Sequence, residues 1–163
     1  LPFRQVEQLL LDEGWEDDQI WNLVAGTSGE TGETLTGEAY RDVLIGGSGN
    51  DVLTSGGGVD VMQGGDGFDT FVLGMSDYDG GVEGAHGQVT MIRDFVVGED
   101  DINLSALGIA TAEDVTVKEH TDNAGKTHSY LVDKSGDTEV VLAELTETTL
   151  EEDDTINLTG LTG

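Results

Sequence analysis

The sequence contains no cysteine, one proline and only six basic residues among its 163. Without cysteine it has neither a disulfide framework nor a thiolate metal site, so any stapling must come from another source. The six basic residues face 34 acidic ones, and the formal net charge of -28 argues against nucleic acid as a partner. No stretch approaches the roughly 20 apolar residues that a membrane helix requires, so we expect no membrane span.

The acidic surplus is the strongest compositional signal. A charge of this size either keeps a chain disordered through self-repulsion or is neutralised by bound cations. Many of the acids recur at a fixed period instead of forming blocks, which favours bound cations.

A nine-residue period runs through the glycine-rich segment. Three consecutive copies stand in register from Gly46 to Val72, and two degenerate copies precede them, beginning at Ser28 and Gly37. The sixth position of the five copies is always acidic: Glu33, Asp42, Asp51, Asp60 and Asp69. The eighth position is always large and apolar: Leu35, Leu44, Leu53, Met62 and Phe71. A flexible glycine-rich linker would explain the glycines, but not the fixed places of the acid and the apolar residue.

Each copy predicts a six-residue turn followed by a three-residue strand. Glycine suits the turn because the backbone must take positive φ and approach its neighbour closely. A strand this short cannot stand alone, so its eighth residue must point inward and stack on equivalents in neighbouring coils. Two copies make one coil, and we therefore expect two inner sheets. Leu35, Leu53 and Phe71 line one of them, and Leu44 and Met62 line the other.

Acids on the same side of the coil should face each other in pairs, Asp51 with Asp69 and Asp42 with Asp60. Two carboxylates this close repel each other unless a cation lies between them, and a hard cation suits carboxylate and carbonyl oxygens. Magnesium demands near-ideal octahedral geometry, and zinc would favour Cys or His, which the turns lack. The pattern therefore predicts Ca²⁺.

Two calcium sites follow from this pairing. The better one combines carbonyls from two stacked turns with their acids: Gly46, Ser48, Asp51, Gly65, Gly67 and Asp69. The second has the equivalent set: Gly37, Ala39, Asp42, Gly56, Gly58 and Asp60. Its first turn carries Glu38, Tyr40 and Arg41 where glycine or a small residue is expected, so we expect that turn to be distorted.

The flanking regions differ from the repeats. Apolar residues before residue 25 predict one or two short amphipathic helices that cap the open end of the coil. Four predicted strands, beginning near Val89, Val115, Tyr130 and Glu139, favour an antiparallel meander, followed by an acidic tail predicted to be mobile. We therefore predict an all-β fold, a parallel β-roll (right-handed β-helix) with an N-terminal helical cap and a C-terminal antiparallel region. The expected limits are 1–27 for a helical cap or linker, 28–73 for the roll and 74–163 for the C-terminal region.

The repeats and the segment from Ile92 to Gly108 resemble the RTX (repeats-in-toxin) family. The resemblance implies that this segment closes the roll and that Asp94 and Asp100 bind a further calcium. It also implies export through type I secretion machinery with an uncleaved C-terminal signal, and a secreted or cell-surface location. Of the family's members, a large bacterial adhesin fits best. The alternative is a carbohydrate-binding module like those of mannuronan epimerases, or the β-roll of a secreted protease.

We expect no enzymatic activity from this chain. Its histidines, His86, His120 and His128, are scattered, and none lies in a motif with a nucleophile or at a metal-ligand spacing. His120 and His128 flank a predicted hairpin and are expected at the surface. The predicted function is calcium-dependent folding and secretion of an exported protein, as a monomer, with calcium and the type I secretion machinery as partners.

Overall fold

The computed structural model describes residues 22–26, 31–39, 41–75, 78, 80–146, 148, 150–151 and 154–163. The predicted helical cap lies outside these residues up to residue 21. The described part contains short 3-10 helices at Val82–Gly84 and Ala112–Asp114, and no helix long and apolar enough to cross a membrane. Its strands are β1 (Asn22–Ala25), β2 (Thr34–Thr36), β3 (Asp42–Ser48), β4 (Val52–Thr54), β5 (Val61–Asp66), β6 (Thr70–Val72), β7 (Thr90–Ile92), β8 (Asp101–Asn103), β9 (Val115–Thr121), β10 (Thr127–Asp133), β11 (Val140–Leu145) and β12 (Asn157–Thr159).

The strands form two sheets that the chain visits in turn. The first sheet has the order β1-β3-β5-β7-β11-β10-β9, and the second has the order β12-β8-β6-β4-β2. From β1 to β8 the odd-numbered strands lie in the first sheet and the even-numbered strands in the second, with parallel pairing throughout. Each odd-even pair completes one coil, and the predicted parallel β-roll is confirmed.

The coil length follows the sequence period. Val43 pairs with Val61 and Val52 pairs with Thr70, a step of two nine-residue copies in both sheets. The eighth-position residues stack as predicted. Leu53 lies beside Leu35 and Phe71 in the second sheet, and Leu44 beside Met62 in the first. All five are buried in one core cluster, where each contributes about 1.5–3 kcal/mol.

Strand β1 corrects the helical prediction at its last residues. Val24, expected on a helix, is paired with Leu44 at the edge of the first sheet and packs against the core. The step from β1 to β3 is two residues longer than the regular coil, so a nine-residue alignment does not reveal the strand. Packing on the exposed end of the roll outweighs the weak helical period.

The roll continues beyond the nonapeptide copies. Ile92 of β7 lies over Met62, and Ile102 of β8 lies over Phe71, after steps of 30 and 31 residues. Strand β11 then pairs with β7, and β12 pairs with β8, both in parallel. One core cluster therefore runs from Leu35 through to Leu145, across the predicted boundary at residues 73 and 74.

The antiparallel prediction holds for three of the four expected strands. β9, β10 and β11 form an antiparallel meander. The fourth, β7, was expected in the meander but is a parallel strand of the roll. Its three residues are all buried, as in parallel strands covered on both faces. The tail was expected to be mobile, but it contains β12, whose Leu158 packs on the core beside Ile102.

Candidate metal centre

The sixth-position acids of one row form a ladder along the side of the roll. Each carboxylate accepts a hydrogen bond at Oδ1 from the backbone N–H one coil below. Glu33 N donates to Asp51 at 2.8 Å, Asp51 N to Asp69 at 2.9 Å, and Asp69 N to Asp100 at 2.9 Å. Asp51 and Asp69 meet on successive rungs, as the sequence period predicts.

The opposite row forms a shorter ladder. Asp42 N donates to Asp60 Oδ1 at 2.8 Å, and the carboxylate of Asp42 accepts a hydrogen bond from Glu38 N. One coil further, Asp60 N donates to the hydroxyl of Thr90 at 3.2 Å, so an uncharged residue ends this row. The predicted pairing of Asp42 with Asp60 is observed, whereas Tyr40 of the turn expected to be distorted lies outside the described residues.

Four buried carboxylates keep one oxygen without any hydrogen-bond partner. These atoms are Asp42 Oδ1, Asp51 Oδ2, Asp60 Oδ2 and Asp69 Oδ2. Each of the four residues is at most 1% exposed. A buried anionic oxygen without a donor is strongly unfavourable, so these atoms require either a proton or a cation.

The pKa values of Asp60 and Asp69 show the cost of holding these two acids as anions without a cation. Burial raises the pKa of Asp60 to about 8, and the nearby carboxylate of Asp42 adds to the rise. Burial likewise raises the pKa of Asp69 to about 7, with contributions from neighbouring carboxylates. Desolvation and repulsion between like charges both raise the pKa values of Asp60 and Asp69. A bound cation would lower them.

The predicted carbonyl donors of the better site lie in two turns that stack directly. Gly47 pairs with Gly65 and Ser48 with Asp66, and Gly49 N donates to the Asp66 carbonyl at 3.0 Å. A Cβ at Gly65 would overlap the carbonyl oxygen of Gly47. The sequence therefore needs glycine for space as well as for positive φ. The turn of Gly46 and Ser48 is thus held against the turn of Gly65 and Gly67.

The second site has the same stacking. Gly57 N donates to the Glu38 carbonyl at 2.9 Å, which fixes the turn of Gly56 and Gly58 over that of Gly37 and Ala39. Ser55 replaces glycine at the first position of its copy and is buried, and its hydroxyl accepts a hydrogen bond from Gly74 N at 2.8 Å. The non-consensus residues Glu38 and Ser55 are therefore accommodated in the stacked turns.

Asp94 and Asp100, expected as ligands of a further calcium, have distinct places. Asp100 is the last acidic rung of the first ladder, and its second oxygen accepts a hydrogen bond from Val96 N at 2.8 Å. Burial raises its pKa. Asp94 reaches the start of an adjacent turn, where its two oxygens accept hydrogen bonds from Gly64 N and Gly65 N at 2.9 and 2.8 Å. Both acids therefore border the better site.

The donor set of the ladders fits a hard cation. Carboxylate oxygens and peptide carbonyls are the ligands of calcium, and no His or Cys occurs in the described turns. A family model described as the RTX calcium-binding nonapeptide repeat (4 copies) matches residues 27–62 and again residues 36–71. The chain carries RTX repeats. These repeats are calcium-binding, so Ca²⁺ is the cation that this part of the chain binds.

The RTX roll also resembles a solved structure. It is similar to the AlgE6R3 subunit from the Azotobacter vinelandii mannuronan C5-epimerase, determined in solution. The two are 27% identical, the match covers 76% of this chain and 71% of that chain, and the TM-score is 0.52. No curated protein matches the chain.

One group of polar residues was missed at the sequence level. His128, predicted at the surface, is buried, and it lies with His86 beside the buried carboxylate of Glu144. The signal was present in β11, where Glu144 is the one acid in an apolar run from Val140 to Leu145. A lone acid in such a strand indicates a buried charge that needs a partner.

Proposed function

We propose that this chain is the calcium-dependent folding and C-terminal type I secretion domain of an exported RTX protein, most similar in role to that of an adhesin. The observation that carries the proposal is the set of four buried carboxylate oxygens without hydrogen-bond partners. They make the folded roll unfavourable without calcium and favourable with it, because ligand binding to the folded state alone adds to its stability.

Export benefits from this dependence. In a calcium-poor cytosol the ladder acids and the net charge of -28 oppose folding, so the chain stays unfolded and can thread a channel. Where calcium is abundant, outside the cell, the same acids become ligands and the roll forms. The proposed location is therefore extracellular, either free or at the bacterial surface, and the proposed partners are calcium and the type I secretion machinery.

The C-terminal residues fold onto the roll. β12 pairs with β8, and Leu104 N donates to the carbonyl of Thr159 at 2.9 Å. A signal in this tail would be extended and accessible while the roll is unfolded, and paired once the roll has formed. This supports calcium as one switch that controls both the folding of the roll and the accessibility of the signal. The role requires no catalytic group, and we propose that the chain is not an enzyme.

An export assay tests the proposal. The full chain, co-expressed with type I secretion machinery, should reach the medium and become protease-resistant only when calcium is present there. Paired Asp60→Asn and Asp69→Asn changes, which remove two buried charges, should let the roll fold early and so reduce export. Asp137→Asn, an exposed acid in the turn before β11, is the matched control and should be exported normally. Equal export of the paired variant and the control would contradict the proposal.

A second candidate is a carbohydrate-binding module, which the match to the epimerase subunit favours. Binding of an anionic polysaccharide requires a strip of free cations. Among the described residues, Arg93 is buried and Lys118 is paired with Glu139 at 2.6 Å, so two of the five described basic residues are not available for such a strip. Calorimetric titration of the calcium-loaded chain with mannuronan oligosaccharides decides between the two. We expect no binding, and saturable binding would favour the second candidate.

A further inference from the structure

Three polar side chains from separate elements meet beside the meander, away from the acid ladders. His86 comes from the loop between β6 and β7, His128 from β10 and Glu144 from the neighbouring strand β11. One ligand atom from each lies within 4.8 Å of the others. The loop is anchored there by Ala85 and Val89, which pack in a core cluster with residues of β10 and β11. The cluster is thus fixed by the fold and not by chance contacts at a surface.

The carboxylate of Glu144 is the centre of the cluster. It is 1% exposed, and the Nδ1 atoms of both histidines approach the same oxygen, Oε1. The distance is 2.8 Å for His86 and 3.1 Å for His128. The two rings lie with their centroids 4.5 Å apart. Two nitrogen ligands and one oxygen ligand therefore converge on one small volume.

Asp122 determines how His128 is oriented. Asp122 Oδ2 lies 2.9 Å from His128 Nε2, while Oδ1 accepts hydrogen bonds from Ala124 N and Lys126 N. These contacts hold the His128 ring with its Nδ1 edge turned toward the carboxylate of Glu144, 3.1 Å from Oε1.

We propose that this cluster binds one zinc-type divalent metal ion through His86 Nδ1, His128 Nδ1 and Glu144. Two imidazole nitrogens and a carboxylate form a ligand set for zinc and not for calcium, which takes oxygen ligands only. Ligands about 2.0–2.1 Å from a tetrahedral zinc lie about 3.3 Å from one another. The two nitrogen-to-oxygen distances, 2.8 and 3.1 Å, therefore need only a small opening.

The surroundings have the features of a metal site. A histidine that ligates a metal usually donates its other N–H to a carboxylate, as His128 does to Asp122. Three protein ligands leave a fourth position for water or a further ligand. The site is separate from the calcium ladders, so its occupancy does not depend on the proposed secretion role.

Titration of the calcium-saturated full chain with Zn²⁺ tests the proposal. Saturating calcium keeps the ladder acids occupied, so calorimetry should report one zinc per chain. Co²⁺ in its place should give the visible absorption of a tetrahedral nitrogen and oxygen site. His86→Gln should abolish this binding while leaving the far-ultraviolet circular dichroism unchanged, since His86 is partly exposed at 31%. Glu144→Gln should also abolish it.

His120→Gln is the matched control, because His120 lies outside the three-residue cluster on the neighbouring strand β9. This variant should bind zinc as the parent chain does. Asp122→Asn, which removes a positioning residue and no ligand, should weaken affinity by about 10- to 100-fold.

Two results would overturn the proposal. One is the absence of zinc binding by the calcium-saturated chain, with nitrogen-15 shifts that show His128 doubly protonated in excess zinc. This would mean that a second proton on His128, and not a metal ion, supplies the positive charge beside Glu144. The other is binding that His86→Gln leaves unchanged, which would place the zinc elsewhere.

Discussion

The roll and the meander both bury acids, but they neutralise them differently. In the roll, Asp51 and Asp69 accept hydrogen bonds only from backbone N–H groups, and each keeps one oxygen without a partner. In the meander, Glu144 has two histidines within hydrogen-bonding distance. One region therefore takes its compensating charge from solution, and the other carries groups that can supply it or recruit a metal. This difference predicts opposite responses to the same changes.

Removal of calcium should have the largest effect. Each site held at about 100 times its dissociation constant adds about 2.7 kcal/mol to the folded state, and two sites supply roughly 5 kcal/mol. That is comparable to the whole stability of a small domain, about 5–15 kcal/mol. We expect chelation to abolish the β-sheet circular dichroism of the roll.

Hydrogen exchange resolves this effect by region. In chelator, amides of β3 to β6 should lose protection first, and those of β9 and β10 should retain more, because the meander has its own core cluster. A chain equally folded in chelator and in calcium would contradict the difference between the two regions.

Removal of one buried charge from each region should change the stability of the calcium-free chain in opposite directions. Asp69→Asn should raise the stability of the calcium-free chain, since the lost charge has no partner, and should cost about 2.7 kcal/mol when calcium is present. Glu144→Gln should lower stability in both conditions by about 1.5–3 kcal/mol, because it weakens hydrogen bonds to a charged group. Circular dichroism in chelator and urea unfolding in calcium measure both changes. Destabilisation by Asp69→Asn in chelator would show that its carboxylate is compensated within the chain.

Two glycines distinguish the cost of placing a Cβ where there is no room from the cost of a positive φ. Gly65 in a nonapeptide turn and Gly98 in the loop between β7 and β8 have φ of 96° and 86°, but of the two only a Cβ at Gly65 would overlap a neighbouring backbone. Gly98→Ala should cost about 1–2 kcal/mol, the usual penalty of a left-handed residue. Gly65→Ala should cost more and also weaken calcium binding, because two stacked turns must separate. Equal melting temperatures for the two variants would argue against close stacking of the turns.

The calcium-free roll should also respond to pH. Asp60 and Asp69 have folded pKa values of about 8 and about 7, above the ordinary aspartate value of 3.8. The folded state therefore binds more protons than the unfolded state between pH 4 and 8, and its stability falls as pH rises through that window. With calcium the dependence should reverse, since ligation requires deprotonated acids. Circular dichroism of the calcium-free chain and urea midpoints of the calcium-bound chain, each at pH 5 and pH 8, check the two signs. A gain of β-sheet signal by the calcium-free chain as pH rises would contradict the raised pKa values of Asp60 and Asp69.

The sequence predicted the features that depend on regular spacing. The two sheets, their inward residues and the facing acids all follow from a step of nine. It could not predict that Asp100 continues the row of facing acids. The loop inserted before β7 places Asp100 31 residues after Asp69, and not 18. The histidine cluster was missed for a related reason. His86 is 58 residues from Glu144, and His128 is 16 residues from it, on a neighbouring strand. Only the pairing of β10 with β11 and the loop packed on them bring these side chains together.

The stacking of successive coils also defines which changes of length the roll tolerates. Because Val43 pairs with Val61 and Val52 with Thr70, duplication of one whole coil would add a rung to each ladder and leave every later strand in its own sheet. Loss of a single nonapeptide would instead move every later strand to the opposite sheet and bring residues of the two ladders into one row. We therefore expect such rolls to grow or shrink in pairs of repeats, with calcium capacity changing in matching steps on both sides.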